Sequence, residues 1–185
     1  MTILVCIKKE NKILTDSAVF DMENHSKTNG YQKCHIRQYK HNSIKYAYCG
    51  DTMLKDLYED VLNPLFDGDK LTNLDILLEI PKLFGELVPS LPHIVDTVAN
   101  AFYIINGEAY TLKTKVNNAT FIQFSIEKTC QDVSFLGSGF KFVQGAYQAL
   151  KDCNSADVKD SELARRAIKS ISKIHYFIND DVHAV

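Results

Sequence analysis

A chain of 185 residues has the length of one domain and can bury roughly 70% of the surface its unfolded form would expose, so a real core is within reach. Its 21 basic and 23 acidic side chains leave a formal charge of −2, which excludes the long-range field that a nucleic acid or an anionic membrane would select. Five cysteines (Cys6, Cys34, Cys49, Cys130, Cys153), with no CxxC and no Cys/His pair at zinc-ligand spacing, read as reduced thiols.

The first residues, MTILVCIKKENKILTDSAVF, lack the basic start, longer apolar stretch and small-residue cleavage site of a signal peptide. No apolar run approaches the roughly 18 residues that span a bilayer, and a soluble cytoplasmic protein is the expectation. Residues 2–7 and 12–20 are apolar segments either side of Lys8-Lys9-Glu10-Asn11 and predict a β-hairpin. Residues 21–30 are polar and predict a loop; strands are expected over 33–39 and 43–49. Leu54, Leu57, Tyr58, Val61 and Leu62 then recur at helical spacing, with Asp51 as N-cap and Asn63-Pro64 as the stop. A second helical pattern (Leu74, Leu77, Leu78, Leu83, Phe84, Leu87) is expected to break or kink at Pro81 and to end near Pro89.

Beyond Pro92, strands at 102–105 and 109–112 flank Asn106-Gly107, the pair favoured in a type I′ hairpin turn. Further strands are expected over 120–126 and 133–136. After Gly137-Ser138-Gly139 a helix presents Phe140, Val143, Tyr147 and Leu150 on one face. Another, over 160–173, turns Leu163, Ala164, Ala167, Ile168 and Ile171 inward, and an apolar strand at 174–178 precedes a short tail. There is no repeat or linker, so residues 1–185 are expected to form a single domain. Runs of strands alternating with runs of helices predict an α+β protein with two antiparallel sheets face to face and a helical layer on each outer side, a four-layer α/β/β/α sandwich.

The segments TILVCIKK…KILTDSAV, Lys33 ahead of a strand, the CGDT turn into a helix, LGSGFKFVQGAYQAL and SELARRAIKSISKIHYFIND stand in the order found in proteasome β-type subunits. Over nearly its whole length the chain resembles this family, and within it HslV, the bacterial proteasome-like peptidase. The resemblance implies the N-terminal nucleophile (Ntn) hydrolase fold and a threonine endopeptidase whose nucleophile is Thr2 once Met1 has been removed. A threonine hydroxyl is a poor nucleophile, but at a free N-terminus its own α-amine, with a pKa of about 7.7 to 8.0, can act as base. Lys33 would disfavour protonation of that amine, Asp16 would hold the lysine charged and oriented, and the Gly50 N–H would serve the oxyanion hole. Ser138 resembles the family serine that bonds the threonine amine. Ser17, Val19, Tyr31, Tyr48 and Cys49 fall at site-lining or specificity-pocket positions, whose character favours a hydrophobic side chain before the scissile bond.

The resemblance also implies a homo-oligomeric ring, no cofactor, and an unfolded polypeptide substrate fed by an ATP-driven AAA+ unfoldase. Helices at 51–63 and 73–89 would supply much of the subunit interface, with Leu65 and Phe66 exposed. The residues leave alternatives open. Lys27 and Lys40 compete with Lys33 for the catalytic lysine, Lys33 reads equally as a solvated edge residue, Asp16-Ser17 as an ordinary turn, and Ser138 or Gly50-Asp51 as a helix start. His175 and Ile178 stand where proteasome subunits carry a supporting aspartate and serine, and Ile3 where the family has a small residue. A catalytically inactive ring-forming subunit and a small-amide Ntn hydrolase are therefore the other two readings. The histidines make no metal pattern, and adjacent Cys34 and His35 point to opposite faces of a strand.

Overall fold

Ile3, Val5 and Ile7 are buried on one side of the first strand, and Leu4 and Cys6 on the other, so both faces of this strand demand cover. The computed structural model describes residues 2–21, 26–28, 30–50, 52–87, 98–117, 121–154, 157–176 and 178–185. In chain order its elements are β1 (Leu4–Ile7), β2 (Lys12–Asp16), β3 (Val19–Asp21), β4 (Ser26–Thr28), β5 (Cys34–Gln38), β6 (Ser43–Gly50), α1 (Thr52–Asp67) and α2 (Asn73–Leu87). They continue with β7 (Val98–Ile105), β8 (Glu108–Asn117), β9 (Phe121–Lys128), β10 (Val133–Leu136), α3 (Phe140–Cys153), α4 (Asp160–Ser172) and β11 (Val182–Ala184).

The cover comes in layers. One antiparallel sheet runs β10-β1-β2-β11 and the other β5-β6-β7-β8-β9. Val143 and Tyr147 of α3, and Leu163, Ala164, Ala167, Ile168 and Ile171 of α4, pack on Ile3, Val5 and Ile7. On the far side Tyr58, Leu62 and Phe66 of α1 and Ile76, Ile80 and Phe84 of α2 pack on Tyr46, Tyr48, Ala101 and Tyr103 of the second sheet. Between the sheets lie Leu4, Cys6, Ile13, Cys34, Ala47, Cys49, Phe102, Ile104 and Ala109. This is the four-layer α/β/β/α sandwich that the element order predicts. The 106–107 turn also forms as expected, with both residues at positive φ (52° and 86°).

Several boundaries differ for physical reasons. α1 does not stop at Asn63-Pro64 but runs to Asp67, because tertiary contacts outweigh the donor that proline removes. Phe66 enters the core, and the buried Asn42 side chain collects the helix end: its Nδ2 donates to the carbonyls of Phe66 (2.8 Å) and Asp69 (3.0 Å), while its Oδ1 accepts the Leu71 N–H (3.0 Å). Asn42→Ala would leave the buried Phe66 carbonyl unpaired and release the Asp69 and Leu71 backbone, and we expect a loss of about 1–3 kcal/mol, read as a lowered urea midpoint at unchanged slope.

α2 likewise passes through Pro81, held by Ile80 and Phe84 in the core. It starts from a reciprocal cap in which the Asp75 N–H donates to Thr72 Oγ1 (3.3 Å) and the Thr72 N–H to Asp75 Oδ2 (2.8 Å). Asp51 as N-cap and Pro89 as helix end lie outside the described residues. Phe66, expected exposed, is core, and Leu65 packs partly buried against it; among the described residues the exposed leucines of this layer are instead Leu74 (65%), Leu77 (37%) and Leu78 (58%) of α2.

Residues 12–20 do not form one strand. The chain breaks at Ser17-Ala18, and β3, at the end of that stretch, pairs as a separate ribbon with β4, which lies in the 21–30 segment expected to be loop. Among the described residues of 174–178 there is no strand: Ile174 and His175 donate back to the Ile171 carbonyl (3.1 and 2.9 Å), extending the end of α4, and Ile174 is 81% exposed. The strand falls in the tail, where β11 satisfies the open edge of β2 and Ile13 and Val185 exchange backbone bonds (2.9 and 3.0 Å).

Candidate active site

Where β2 ends, Asp16 enters the interior with no exposed surface, and a buried carboxylate needs donors. It has three. Oδ1 accepts the Ile3 N–H (3.0 Å) and Lys33 Nζ (3.1 Å), and Oδ2 accepts the Ala18 N–H (3.3 Å). Lys33, placed just ahead of β5, is only 5% exposed and also donates to the Ala18 carbonyl. It is therefore not a solvated edge lysine. Lys27 is engaged elsewhere, donating to the carbonyls of Tyr176 (2.7 Å) and Ile178 (3.3 Å), and Lys40 is exposed. Among the three lysines it is Lys33 that meets Asp16.

Burial pushes the Lys33 ammonium below its ordinary value of 10.5, and the Asp16 carboxylate opposes that push. Between the lowered value and 10.5 the folded chain binds fewer protons at Lys33 than the unfolded chain does. This site therefore makes stability rise with pH across that window. Asp16→Asn would strand the ammonium, and we expect it to cost about 3–5 kcal/mol and to widen the window toward neutral pH; denaturant titrations at several pH values measure both.

Thr2, half-buried, lies one residue from the Ile3 N–H that Asp16 holds. The Gly137-Ser138-Gly139 turn closes on it: a Cβ on Gly137, whose φ is +99°, would sit 1.8 Å from the Thr2 carbonyl oxygen. Ser138, next in line, is exposed. The residue capping α3 is Gly139, without a side-chain bond, so Ser138 is not the helix cap. Gly50 ends β6 opposite Ala99 with φ +113°, and a Cβ there would lie 2.2 Å from the Val98 carbonyl oxygen. At both positions only glycine admits the observed backbone approach.

Cys49 faces the space between the sheets, within electrostatic reach of Lys33 and Asp16. Burial drives its thiol up to about 12 despite the opposing lysine, so it is no nucleophile at neutral pH. Tyr48 points the other way, into the α1/α2 layer, where its hydroxyl is 2.7 Å from that of Tyr103. Tyr31 is exposed, and its N–H donates to the Ser17 carbonyl (3.1 Å). Val19 lies in β3, and its side chain is outside the described residues, as is Met1.

Of the three divergent positions, Ile3 and Ile178 are buried in the α3/α4 layer, and the His175 ring packs against Phe142 at 5.3 Å between centroids. What sequence reasoning missed is Asn179, whose side chain bonds Ser17 across 162 positions of chain. No spacing or periodicity signals such a pair. Among the described residues no group of three or more His, Cys, Asp or Glu is placed to hold a metal, and no helix is long and apolar enough to cross a membrane.

No family model and no curated protein matches the sequence. Solved structures do match. BPH from Thiobacillus denitrificans, in complex with epoxomicin, is 16% identical at TM-score 0.64, covering 100% of this chain and 97% of its own. Eukaryotic HslV from Trypanosoma brucei is 16% identical at TM-score 0.58, with 98% of each chain covered. Anbu, described as an ancestral β-subunit, from Yersinia bercovieri is 11% identical at TM-score 0.61, over 99% of this chain and 80% of that one. The chain therefore has the Ntn-hydrolase fold of the proteasome-like subunits, the fold it shares with HslV and Anbu.

Proposed function

We propose that the chain is a threonine endopeptidase of the HslV and proteasome type, a single cytoplasmic domain whose nucleophile is Thr2 after loss of Met1. One observation carries this reading: a lysine and an aspartate buried together against the residue that follows Thr2. A buried ion pair contributes little net stability, because desolvation offsets its attraction, so its presence calls for a reason other than folding.

The chemistry follows from the positions. The Thr2 α-amine takes the hydroxyl proton as Oγ bonds to the substrate carbonyl carbon. Lys33's positive charge keeps that amine neutral beforehand and steadies the charge that develops; at about 4 Å and an effective dielectric of 20 such a term is on the order of 4 kcal/mol. The Gly50 N–H receives the oxyanion, worth about 10²- to 10³-fold in rate, and Ser138 orients the amine. Collapse breaks the C–N bond, the proton leaves with the amine product, and water then cleaves the acyl ester. Cys49 and Tyr31, flanking the 16–18 segment, would with Val19 receive an apolar side chain before the scissile bond; Tyr48, expected among these pocket residues, is turned into the α1/α2 layer and takes no part. A homo-oligomeric ring fed with unfolded polypeptide by an AAA+ ATPase completes the proposal; Anbu from Pseudomonas aeruginosa, which shares the fold at TM-score 0.60, forms a helical assembly, which supports self-association but not closure into a ring. Light scattering that finds only monomers at micromolar concentration would remove the ring.

A non-catalytic subunit of the same fold is the second reading, favoured by Ile178, an apolar core residue where the resemblance implies a serine. A peptide epoxyketone, which needs both the amine and the hydroxyl of an N-terminal threonine, separates the two. It should add covalently to Thr2 of protein lacking Met1 and leave protein retaining Met1 unmodified, as read by intact mass. Absence of an adduct, together with no cleavage of unfolded polypeptide with or without an ATPase, overturns the peptidase reading.

A further inference from the structure

Ser17 is fully buried between the Asp16–Lys33 pair and the C-terminal segment. One side chain meets most of its polar groups. Asn179 Nδ2 donates to Ser17 Oγ (2.9 Å), and Asn179 Oδ1 accepts both the Ser17 N–H and its hydroxyl (3.3 Å each). The same Oδ1 accepts the Asp181 N–H (3.2 Å), while the Ser17 N–H also reaches the Asp181 carbonyl (3.1 Å).

The residues either side of Ser17 are the two acceptors of the buried ammonium, Asp16 through its carboxylate and Ala18 through its carbonyl. A rotation of the backbone at Ser17 moves both. Ser17 Oγ further accepts the Gly30 N–H (3.0 Å), three residues before Lys33, so the same hydroxyl fixes the segment that delivers the lysine. The positions at which the resemblance implies a supporting aspartate and serine hold His175 and Ile178, and the latter is committed to the apolar layer.

We infer that Asn179 is a positioning residue which, by clamping Ser17, sets the placement of Lys33 against Asp16 and Ala18 and hence the charge beside Thr2. The kinetic part of this inference rests on the peptidase reading. Among the described residues, the charged and titratable groups that act on Lys33 are Asp16 of β2, Cys49 of β6 and, disfavouring its charge, Lys27 of β4. Asn179 is neutral and acts through Ser17, by geometry.

The test uses the full chain from Thr2, unsubstituted and as Asn179→Ala, Ser17→Ala and the double variant. Cleavage of an unfolded polypeptide is measured alongside titration of the Lys33 13Cε resonance. Asn179→Ala is expected to lower kcat about tenfold or more with KM held within about twofold, because misplacement of the reacting groups and not loss of substrate contact is at issue. The Lys33 midpoint should fall by about half a unit or more as the carboxylate contact loosens while burial persists. Ser17→Ala should act in the same direction, and the double variant should do no worse than the more damaging single one, since both act on one link. Should Asn179→Ala fail to fold, Ser17→Ala carries the same expectation. Folded variants that keep the unsubstituted kcat and Lys33 midpoint, or whose effects add, overturn the inference. If the unsubstituted protein cleaves nothing, the peptidase reading falls, and the Lys33 midpoint alone decides whether Asn179 positions the pair.

Discussion

Thr2→Ala, in protein freed of Met1, is expected to lower kcat/KM for an unfolded polypeptide on the order of 10⁴-fold or more while the fold stays intact. The size follows from the loss of the nucleophile itself, which no neighbour can replace: Cys49, a buried thiol within electrostatic reach of the pair, is held neutral by burial. The tie between this segment and Asp16 runs through the Ile3 backbone N–H, which the substitution keeps. Thr2→Ser preserves a hydroxyl and should retain measurable turnover, which separates loss of chemistry from loss of structure. Retention of Met1 should resemble Thr2→Ala, because an amide nitrogen has no lone pair available to accept the hydroxyl proton. Equal turnover of all these forms in a steady-state assay would show that Thr2 is only the residue before a strand.

The second large effect is expected at Gly137. An alanine there would place its Cβ 1.8 Å from the Thr2 carbonyl oxygen, backbone against side chain, at a φ of +99° that residues with a Cβ rarely adopt. Two things must then happen together. The positive φ costs of order 1–3 kcal/mol, and the contact is relieved only by moving Thr2 or the turn by more than an ångström. Displacement on that scale costs about 10²-fold in rate under the peptidase reading. Gly137→Ala should therefore lower the unfolding midpoint and turnover together, whereas Gly107→Ala, also at positive φ but with open space around it, should lower stability alone. If turnover per folded molecule were unchanged in Gly137→Ala, the turn would not be setting the position of Thr2.

Local signals were legible wherever neighbours in sequence decide the outcome. The i, i+3, i+4 spacing of Leu163, Ala164, Ala167, Ile168 and Ile171 names the buried face of α4, and Asn106-Gly107 names its turn. Asp16 and Lys33 could be named because the resemblance supplied their roles, and the structure joins them at 3.1 Å. What sequence could not weigh was contact across distance. Pro64 reads as a stop until Asn42, 24 positions from Phe66, takes the Phe66 carbonyl in the last turn. Ile174 to Ile178 reads as a strand by apolar content, yet the open edge of β2 is filled by Val182 to Ala184, because edge pairing rewards backbone groups in register and not hydrophobicity. Phe66 was expected exposed because a ring would bury its helix against a neighbouring subunit; with the helix running to Asp67 it faces the chain's own core. Asn179 follows the same logic, a polar residue whose meaning exists only opposite Ser17.

The layer between the two sheets is built partly from small side chains, and three of them are thiols: Cys6, Cys34 and Cys49. Burial raises Cys6 and Cys49 to about 12 and Cys34 to about 11, while Cys130 and Cys153 are exposed. The molecule thus carries two kinds of sulfur separated by its own folding equilibrium. A short pulse of iodoacetamide at neutral pH should mark two cysteines on the native chain and all five on the opened one, since alkylation needs thiolate and access. Counting modified sulfurs against time then clocks how often the two sheets part, with no label added and no residue changed.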